Sequence, residues 1–241
     1  MKISIIIPAF NEERLLRETL SHVNSARAAF TALGWESELI VCDNNSKDRT
    51  ADIARSAGAT VVFEPVNQIA RARNRGADMA TGDWLLFIDA DSRPSQALFA
   101  DTAHAINSRG CVAGGCIVRL EDGYPVANFF IGFWNLLSRR LRIMAGSFIF
   151  CEAAVFRNIG GFNNEMFAGE ELDLSKRLQQ IARETDREIV ILHRHPLLTS
   201  ARKVRLYSAP ELIWFFLRAA FNQKGTLTNR ASCHPWYDGR R

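Results

Sequence analysis

Apolar runs of strand length alternate with stretches of helix length through the first 110 residues, and few folds accommodate that rhythm. Residues 3–8, 38–42, 60–63 and 84–88 are near-continuous apolar runs, the signature of strands buried on both faces. Helical segments fill the gaps. Asn11 is a good N-cap, with Glu12 and Glu13 in the first turn of a helix reaching about residue 30. Ser46 and Asp48 start a short helix that stops at Gly58, and another spans about 68–80, stopping ahead of Gly82. Pro94-Ser95 opens a further helix, closed by Gly110. The pattern predicts an α/β fold whose mainly parallel, Rossmann-like sheet is covered by helices on both faces.

Beyond Gly110 the pattern becomes mixed. Residues 111–120 are strand-like around Gly114-Gly115, and 125–144 are rich in Phe, Trp and Leu and end in Arg139-Arg140-Leu141-Arg142. Glu170-Glu171-Leu172-Asp173 begins a helix to about 182, residues 189–192 form a late strand, and 209–221 form an amphipathic helix. With no repeat, low-complexity tract or convincing linker, residues 1–241 read as one domain. Its parts are 1–110, 111–208 and a basic C-terminal segment, 209–241.

Ligands of open parallel sheets bind outside the carboxyl ends of the strands. Three polar clusters fall there: Phe10-Asn11-Glu12 just after Pro8, Asp43-Asn44-Asn45-Ser46, and Asp89-Ala90-Asp91. The last places two carboxylates one residue apart at the mouth of a buried strand. Hard divalent cations take oxygen ligands, and Mg²⁺ is usually held by one or two carboxylates plus substrate phosphates. Capping of the next helix is the ordinary alternative for an isolated D-x-D. Three polar strand ends on one edge favour a site.

Charge is unevenly spread. Residues 194–241 carry nine Lys/Arg against two acids, and the preceding residues carry 21 against 24. A basic C-terminal segment suits phosphates or a membrane surface, or is a solvated tail. The five cysteines form no C-x-x-C pair, and three lie in or beside apolar runs, which favours a reducing cytoplasm over disulfides or zinc. The N-terminal apolar run is too short for a signal peptide and reads as the first strand. The longest uncharged stretch, 123–138, has 16 residues, short of the roughly 20 apolar residues a spanning helix needs.

Taken together, Ile5-Ile6-Ile7-Pro8-Ala9-Phe10-Asn11-Glu12-Glu13, the loop from Asp43 to Thr50, Ala72-Arg73-Asn74-Arg75-Gly76, the Asp89/Asp91 pair, and Gly160-Gly161-Phe162 followed by Glu170-Glu171-Leu172-Asp173-Leu174 resemble the family 2 glycosyltransferases of GT-A fold over nearly the whole chain. Each motif alone is weak, and five in order are specific. The resemblance implies metal-dependent, inverting transfer of a sugar from a nucleotide-diphosphate sugar to an acceptor hydroxyl. It implies a donor site of Pro8, Phe10, Asn11, Glu12, Asp43, Asn74, Asp89 and Ala90, with Asp43 at the nucleobase and Asp89 at the ribose or metal. Asp91 is then the direct ligand of a Mg²⁺ or Mn²⁺ ion that neutralises the departing diphosphate. Arg71 and Arg73 reach the nucleotide or are solvated helix-face arginines. Arg202 resembles part of a late loop closing over the diphosphate, where its fork suits phosphate.

The family places an acidic pair where this chain has Glu170-Glu171, usually with Asp second. By alignment of the residues that follow, Glu171 is the general base for the acceptor hydroxyl, and Glu170 is the alternative. Asp173 reads as structural. His193 corresponds to a histidine that completes the metal shell in some relatives, although a lone His is more often structural. UDP-sugars are the expected donors, with GDP-mannose second; no nucleic acid is expected. A sugar nucleotidyltransferase needs a glycine-rich loop after the first strand, where this chain has Pro8-Ala9-Phe10-Asn11. The non-enzyme alternative is a nucleotide-sugar-binding peripheral membrane protein.

Two aromatic segments flanked by arginine, 129–134 before Arg139 and 212–217 before Arg218, suit a headgroup boundary. They predict peripheral attachment to the inner face of the membrane and a lipid-linked acceptor in cell-envelope, polysaccharide or glycolipid synthesis. Core helices or a homodimer interface are the alternative.

Overall fold

In a computed structural model of the protein, which describes residues 1–108, 110–121, 125–202, 225, 227–230 and 232–233, strand β1 (Lys2–Ala9) lies inside the sheet. Its alternation explains why. Ile3, Ile5 and Ile7 enter one apolar layer and Ile6 the other, all without solvent exposure. Parallel partners flank it, β2 (Glu36–Asp43) on one side and β4 (Trp84–Ile88) on the other, and β3 (Thr60–Phe63) pairs with β2. The layer of Ile3 is closed by α1 (Leu16–Ala26), α2 (Ala28–Thr31), α3 (Thr50–Ser56) and α5 (Gln96–Asn107). The layer of Ile6 is closed by α4 (Ile69–Met79), α7 (Ala153–Asn158) and α8 (Glu170–Glu184). Gly76 lets α4 approach β1 closely, since a Cβ there would sit 2.5 Å from Ile6 Cγ2.

The second half extends the same sheet. Strand β7 (Phe148–Glu152) runs antiparallel between β4 and β6 (Cys111–Leu120). Strand β8 (Glu188–Thr199) is parallel to β6, and the short β5 (Ser92–Arg93) is antiparallel to β8. The order is β3-β2-β1-β4-β7-β6-β8-β5. Helix α6 (Pro125–Leu141) is pinned to β6 by Asn135, whose amide bonds both the N–H and the carbonyl of Val118 at 3.1 and 2.9 Å.

This topology gathers three kinds of strand end on one edge. The carboxyl ends of β1, β2 and β4 point there because those strands are parallel. The start of β7 lies there because it is antiparallel, and Asp89 N–H donates to Ser147 O at 3.2 Å. The end of β8 arrives beside β5, where Ser200 N–H donates to Asp91 O at 3.1 Å.

Two expectations need correction. Asn11 does not cap α1, which begins at Leu16 without a side-chain cap. The late strand is also longer than residues 189–192, running to Thr199 through an irregularity opposite Cys116 and Val118. The expected helix at 209–221, with its apolar segment 212–217, lies outside the described residues. No helix among the described residues is long and apolar enough to cross a membrane.

Candidate functional site

The loops after β1 and β2 are built as one unit. Asn11 adopts φ 52°, a left-handed conformation that asparagine tolerates. Its Oδ1 accepts from Lys47 N–H at 2.7 Å, and its own N–H donates to Ser46 Oγ at 3.0 Å. Glu12 N–H donates to Thr50 Oγ1 at 2.8 Å. Asn11 therefore joins two loops, which is why it is unavailable as a helix cap. Asp43, buried at the end of β2, accepts Ser46 N–H at 3.0 Å. Asn44 donates to the carbonyls of Glu64 and Val66 and accepts Gln68 N–H. Burial works against the Asp48 charge, but the Thr50 hydroxyl and the N–H groups of Glu13 and Thr50 outweigh it and hold that carboxyl below its ordinary range.

At the centre of the edge stands Arg73, on α4 and only 1% exposed. Its Nη1 donates to Glu170 Oε1 at 2.6 Å, and its Nη2 to Asp89 Oδ1 at 2.9 Å and to Gly146 O at 2.7 Å. The guanidinium also lies 5.1 Å from the Phe162 ring centroid. Burial opposes the cation, yet Asp89, Glu170 and Glu171 outweigh it and keep Arg73 charged. Glu171 shares this corner: a Cβ on Gly146 would sit 3.3 Å from Arg73 Nη2 and 3.5 Å from Glu171 Cδ. Glu171 is half-buried, with its carboxyl carbon packed into this corner beside Gly146. Burial there, with the Glu170 charge beside it, pushes the carboxyl up to about 8, and Arg73 pulls the other way. Two carboxyls on successive residues are thus set apart, one in an ion pair and one poised to take a proton.

A second arginine organises the other half. Arg202 grips Glu12 bidentately, at 2.7 and 2.8 Å, and reaches Asp91 Oδ2 at 3.3 Å. Glu12 and Asp91 together overcome the burial that would otherwise disfavour its charge. The D-x-D pair is therefore divided, Asp89 held by Arg73 and Asp91 by Arg202. Ala90 between them is buried and its carbonyl accepts from Thr19 Oγ1 at 2.8 Å, which fixes the turn.

Several expected donor-site residues have other employment. Arg73 is buried, with its Nη groups spent on Glu170, Asp89 and the Gly146 carbonyl. Asn74 spends its amide on the loop before α8, donating to Phe162 O and Asn164 Oδ1 and accepting Phe162 N–H at 2.9 Å. Gly161 serves that clamp, with φ 68° and only 2.6 Å between an added Cβ and Asn74 Oδ1. Arg71, half-buried, donates to Gln68 Oε1 at 3.0 Å. Pro8 and Phe10 lie at the close of β1 beside this edge. His193 does not join Asp89 and Asp91: it is exposed, six residues before Thr199, the residue that pairs with Ser92. Among the described residues no three His, Cys, Asp or Glu side chains converge on a metal-sized site. His195 instead pairs with Asp101 at 2.9 Å.

Sequence reasoning missed Gln68, which is buried and whose Nε2 donates to the carbonyls of Asn164 and Met166 at 2.8 Å. It also missed Gly146, whose carbonyl anchors Arg73. Neither has a local signature, since both act across the fold.

The edge is strongly acidic. Asp43 stands at the end of β2, and Glu12, Asp89, Asp91, Glu170 and Glu171 gather about two guanidiniums that are themselves tied to carboxylates. A bare diphosphate is repelled by such a set, whereas a divalent cation suits its oxygen donors. Asp89 and Asp91 offer oxygen donors of the kind Mg²⁺ or Mn²⁺ takes, and in this structure they are turned to different arginines.

A family model described as Glycosyl transferase family 2 matches residues 4–158. The glycosyltransferase AglE of Haloferax volcanii is 27% identical over 188 residues, which cover 73% of this chain and 60% of that protein. Among solved structures, the fold is similar to the mannosyltransferase PcManGT from Pyrobaculum calidifontis in complex with GDP-Man and Mn²⁺, with a TM-score of 0.69 and 19% identity over 94% of this chain and 62% of that one. It is also similar to Staphylococcus aureus TarS 1-349 in complex with UDP-GlcNAc, with a TM-score of 0.64 and 20% identity over 98% of this chain and 69% of that one. The chain thus spans about three-fifths of the length of that curated relative.

Proposed function

The chain belongs to glycosyl transferase family 2, and from that premise we propose that it transfers a sugar, with inversion, from a nucleotide-diphosphate sugar to an acceptor hydroxyl. The observation that carries this reading is the division of labour around Arg73. Asp89 and Glu170 are ion-paired in its fork, and the Glu171 carboxyl beside them is raised to about 8, near the pH at which it can exchange a proton. Glu171 takes the proton of the attacking acceptor hydroxyl. Asp43 and the interlocked loops after β1 and β2 receive the nucleoside, with Asp43 against the base. Asp91 and Asp89 hold a Mg²⁺ or Mn²⁺ ion, which when bound neutralises charge on the departing diphosphate. Arg202 turns from Glu12 and Asp91 toward the diphosphate, where its planar fork matches two phosphate oxygens.

UDP-sugars are the favoured donors and GDP-mannose the second choice. The mannosyltransferase neighbour carries GDP-Man and the TarS neighbour UDP-GlcNAc, which supports a nucleotide-sugar donor without choosing between them. The setting is the inner face of a membrane, with the enzyme attached peripherally and the acceptor lipid-linked. A sugar nucleotidyltransferase ranks second because no glycine-rich loop follows β1.

A panel of nucleotide sugars, screened with and without Mn²⁺ for a rise in unfolding temperature, tests the donor class, since a ligand binding only the folded state stabilises it by mass action. Asp91→Ala is expected to abolish the Mn²⁺-dependent part of donor affinity in calorimetry while the chain stays folded, because a strand-end carboxylate contributes little to the core. Unchanged metal-dependent affinity in that variant removes Asp91 from the metal site.

A further inference from the structure

Helix α6 carries an apolar face that nothing in the described structure covers. Asn135 and Ser138 point its inner side at the body of the fold, Ser138 Oγ donating to Ile143 O at 2.5 Å. On the outer side Phe129, Phe130 and Phe133 are 72, 55 and 59% exposed, and Leu136 is exposed as well. Positions 129, 133, 136 and 140 recur at helical spacing, so the stripe leads directly to Arg140 over about 16 Å of helix.

The stripe ends at a cavity of about 520 Å³ between the end of α6, one face of α8 and the start of β8. Arg140, Arg142, Lys176, Arg183 and Arg187 line it, and among the described residues no acidic side chain does. Lys176, Gln179 and Arg183 follow one face of α8, and Gln179 Nε2 ties the helices together by donating to the carbonyls of Leu141 and Arg142. Two of the cations are paired from outside the lining, Arg142 with Glu188 at 3.1 Å and Arg187 with Glu152 at 2.8 Å. Arg140, Lys176 and Arg183 have no carboxylate within ion-pair distance among the described residues. Cations converging on a concave, partly apolar wall concentrate positive potential, and arginine forks present the geometry that phosphate oxygens accept.

We propose that this cavity seats the phosphates of anionic phospholipids while the aromatic stripe of α6 enters the headgroup boundary, so that the two form one membrane-docking surface. Charge complementarity selects the occupant, since a neutral protein partner satisfies the phenylalanines and leaves the cations unmatched. Leu172 lines the cavity and adjoins Glu171 in sequence, so the docking surface and the acidic pair share helix α8. The inference deepens the membrane-peripheral reading and rests on it for its setting.

Co-sedimentation of the full chain with neutral phosphatidylcholine vesicles and with vesicles containing phosphatidylglycerol is the test. Wild-type protein is expected to pellet with the anionic vesicles at low salt and to be released at high salt. A basic residue near such a surface is worth roughly 5-fold in partitioning, so Lys176→Ala with Arg183→Ala together should lose about 30-fold. Phe129→Ser with Phe133→Ser should weaken binding to the anionic vesicles at both salt concentrations. All four side chains are exposed, so unfolding midpoints should stay at the wild-type value, and reduced partitioning without a shifted midpoint supports the docking surface. Failure of the wild type to pellet, equal binding to neutral vesicles, or full partitioning of the Lys176/Arg183 variant would overturn it. Stabilisation by inorganic phosphate that depends on Lys176, without vesicle binding, reassigns the cavity to a free phosphate and equally rejects the lipid. The nucleotide-sugar panel on wild-type protein is read separately, so failure of the donor reading is distinguishable from failure of this one.

Discussion

Glu171→Gln is expected to leave donor affinity at the wild-type value and to cut kcat by ~10²–10⁴-fold, the usual contribution of a positioned general base. Gln keeps the shape and the packing against Gly146 while removing the one atom pair that can accept a proton. The pH profile carries the same information. Because the Glu171 carboxyl is raised to about 8, kcat/KM should climb through that pH as the base ionises, and the variant should lose that limb. Stability moves the opposite way. The folded state keeps the Glu171 proton to about 8 whereas the unfolded chain releases it near 4.5, so its contribution is full below 4.5 and gone above about 8. If Glu170→Gln is the variant that loses turnover and the pH limb, the base is the other member of the pair. The ion pair of Glu170 with Arg73 argues against that outcome, since that carboxylate is buried and committed to the guanidinium.

How the chain reveals this arrangement depends on the range of the interactions. Strand β4 ends where its apolar run ends, because a strand buried on both faces has no reason to include polar residues. The clusters at Asp43 and Asp89 are legible for the converse reason: polar residues must gather where buried strands stop. Strand β7 escapes because Phe148–Glu152 is a brief run inside a glycine-rich passage, and only pairing with β4 and β6 makes it a strand. The true start of α1 escapes because Asn11 has a partner in Lys47, 36 residues away, that outcompetes a local capping role. Arg73 is the extreme case. In the segment Ile69–Met79 it is one of three arginines on a short helix, and that composition describes a solvated face. Its partners Asp89 and Glu170 lie 16 and 97 residues along the chain, and only the crossing of β4, β7 and α8 at one edge brings them to it.

Replacing Arg73 with Met should therefore destabilise the protein by about 3–5 kcal/mol, the range for removing one partner of a buried ion pair. Glu170 is 3% exposed and would be left without its counter-charge, and Asp89 and the Gly146 carbonyl would lose their donor together. Most domains hold only about 5–15 kcal/mol in reserve, so urea unfolding should show a marked fall in midpoint with little change in slope. Arg73→Lys preserves the charge but offers no planar fork for three acceptors, and should fall between Met and wild type. The decisive comparison is Arg73→Met combined with Glu170→Gln. If the cost is an unpaired buried charge, neutralising Glu170 should recover part of it; a double variant less stable than Arg73→Met means that packing against Phe162 matters more. The catalytic readout separates a brace from a mere structural strut. Arg73 is the charge that pulls Glu171 downward, so in Arg73→Lys, where the cation survives in a looser position, the rising limb of kcat/KM should move to higher pH. An unmoved limb with lost stability would confine Arg73 to holding the fold, and leave burial and Glu170 alone to set the proton affinity of the base.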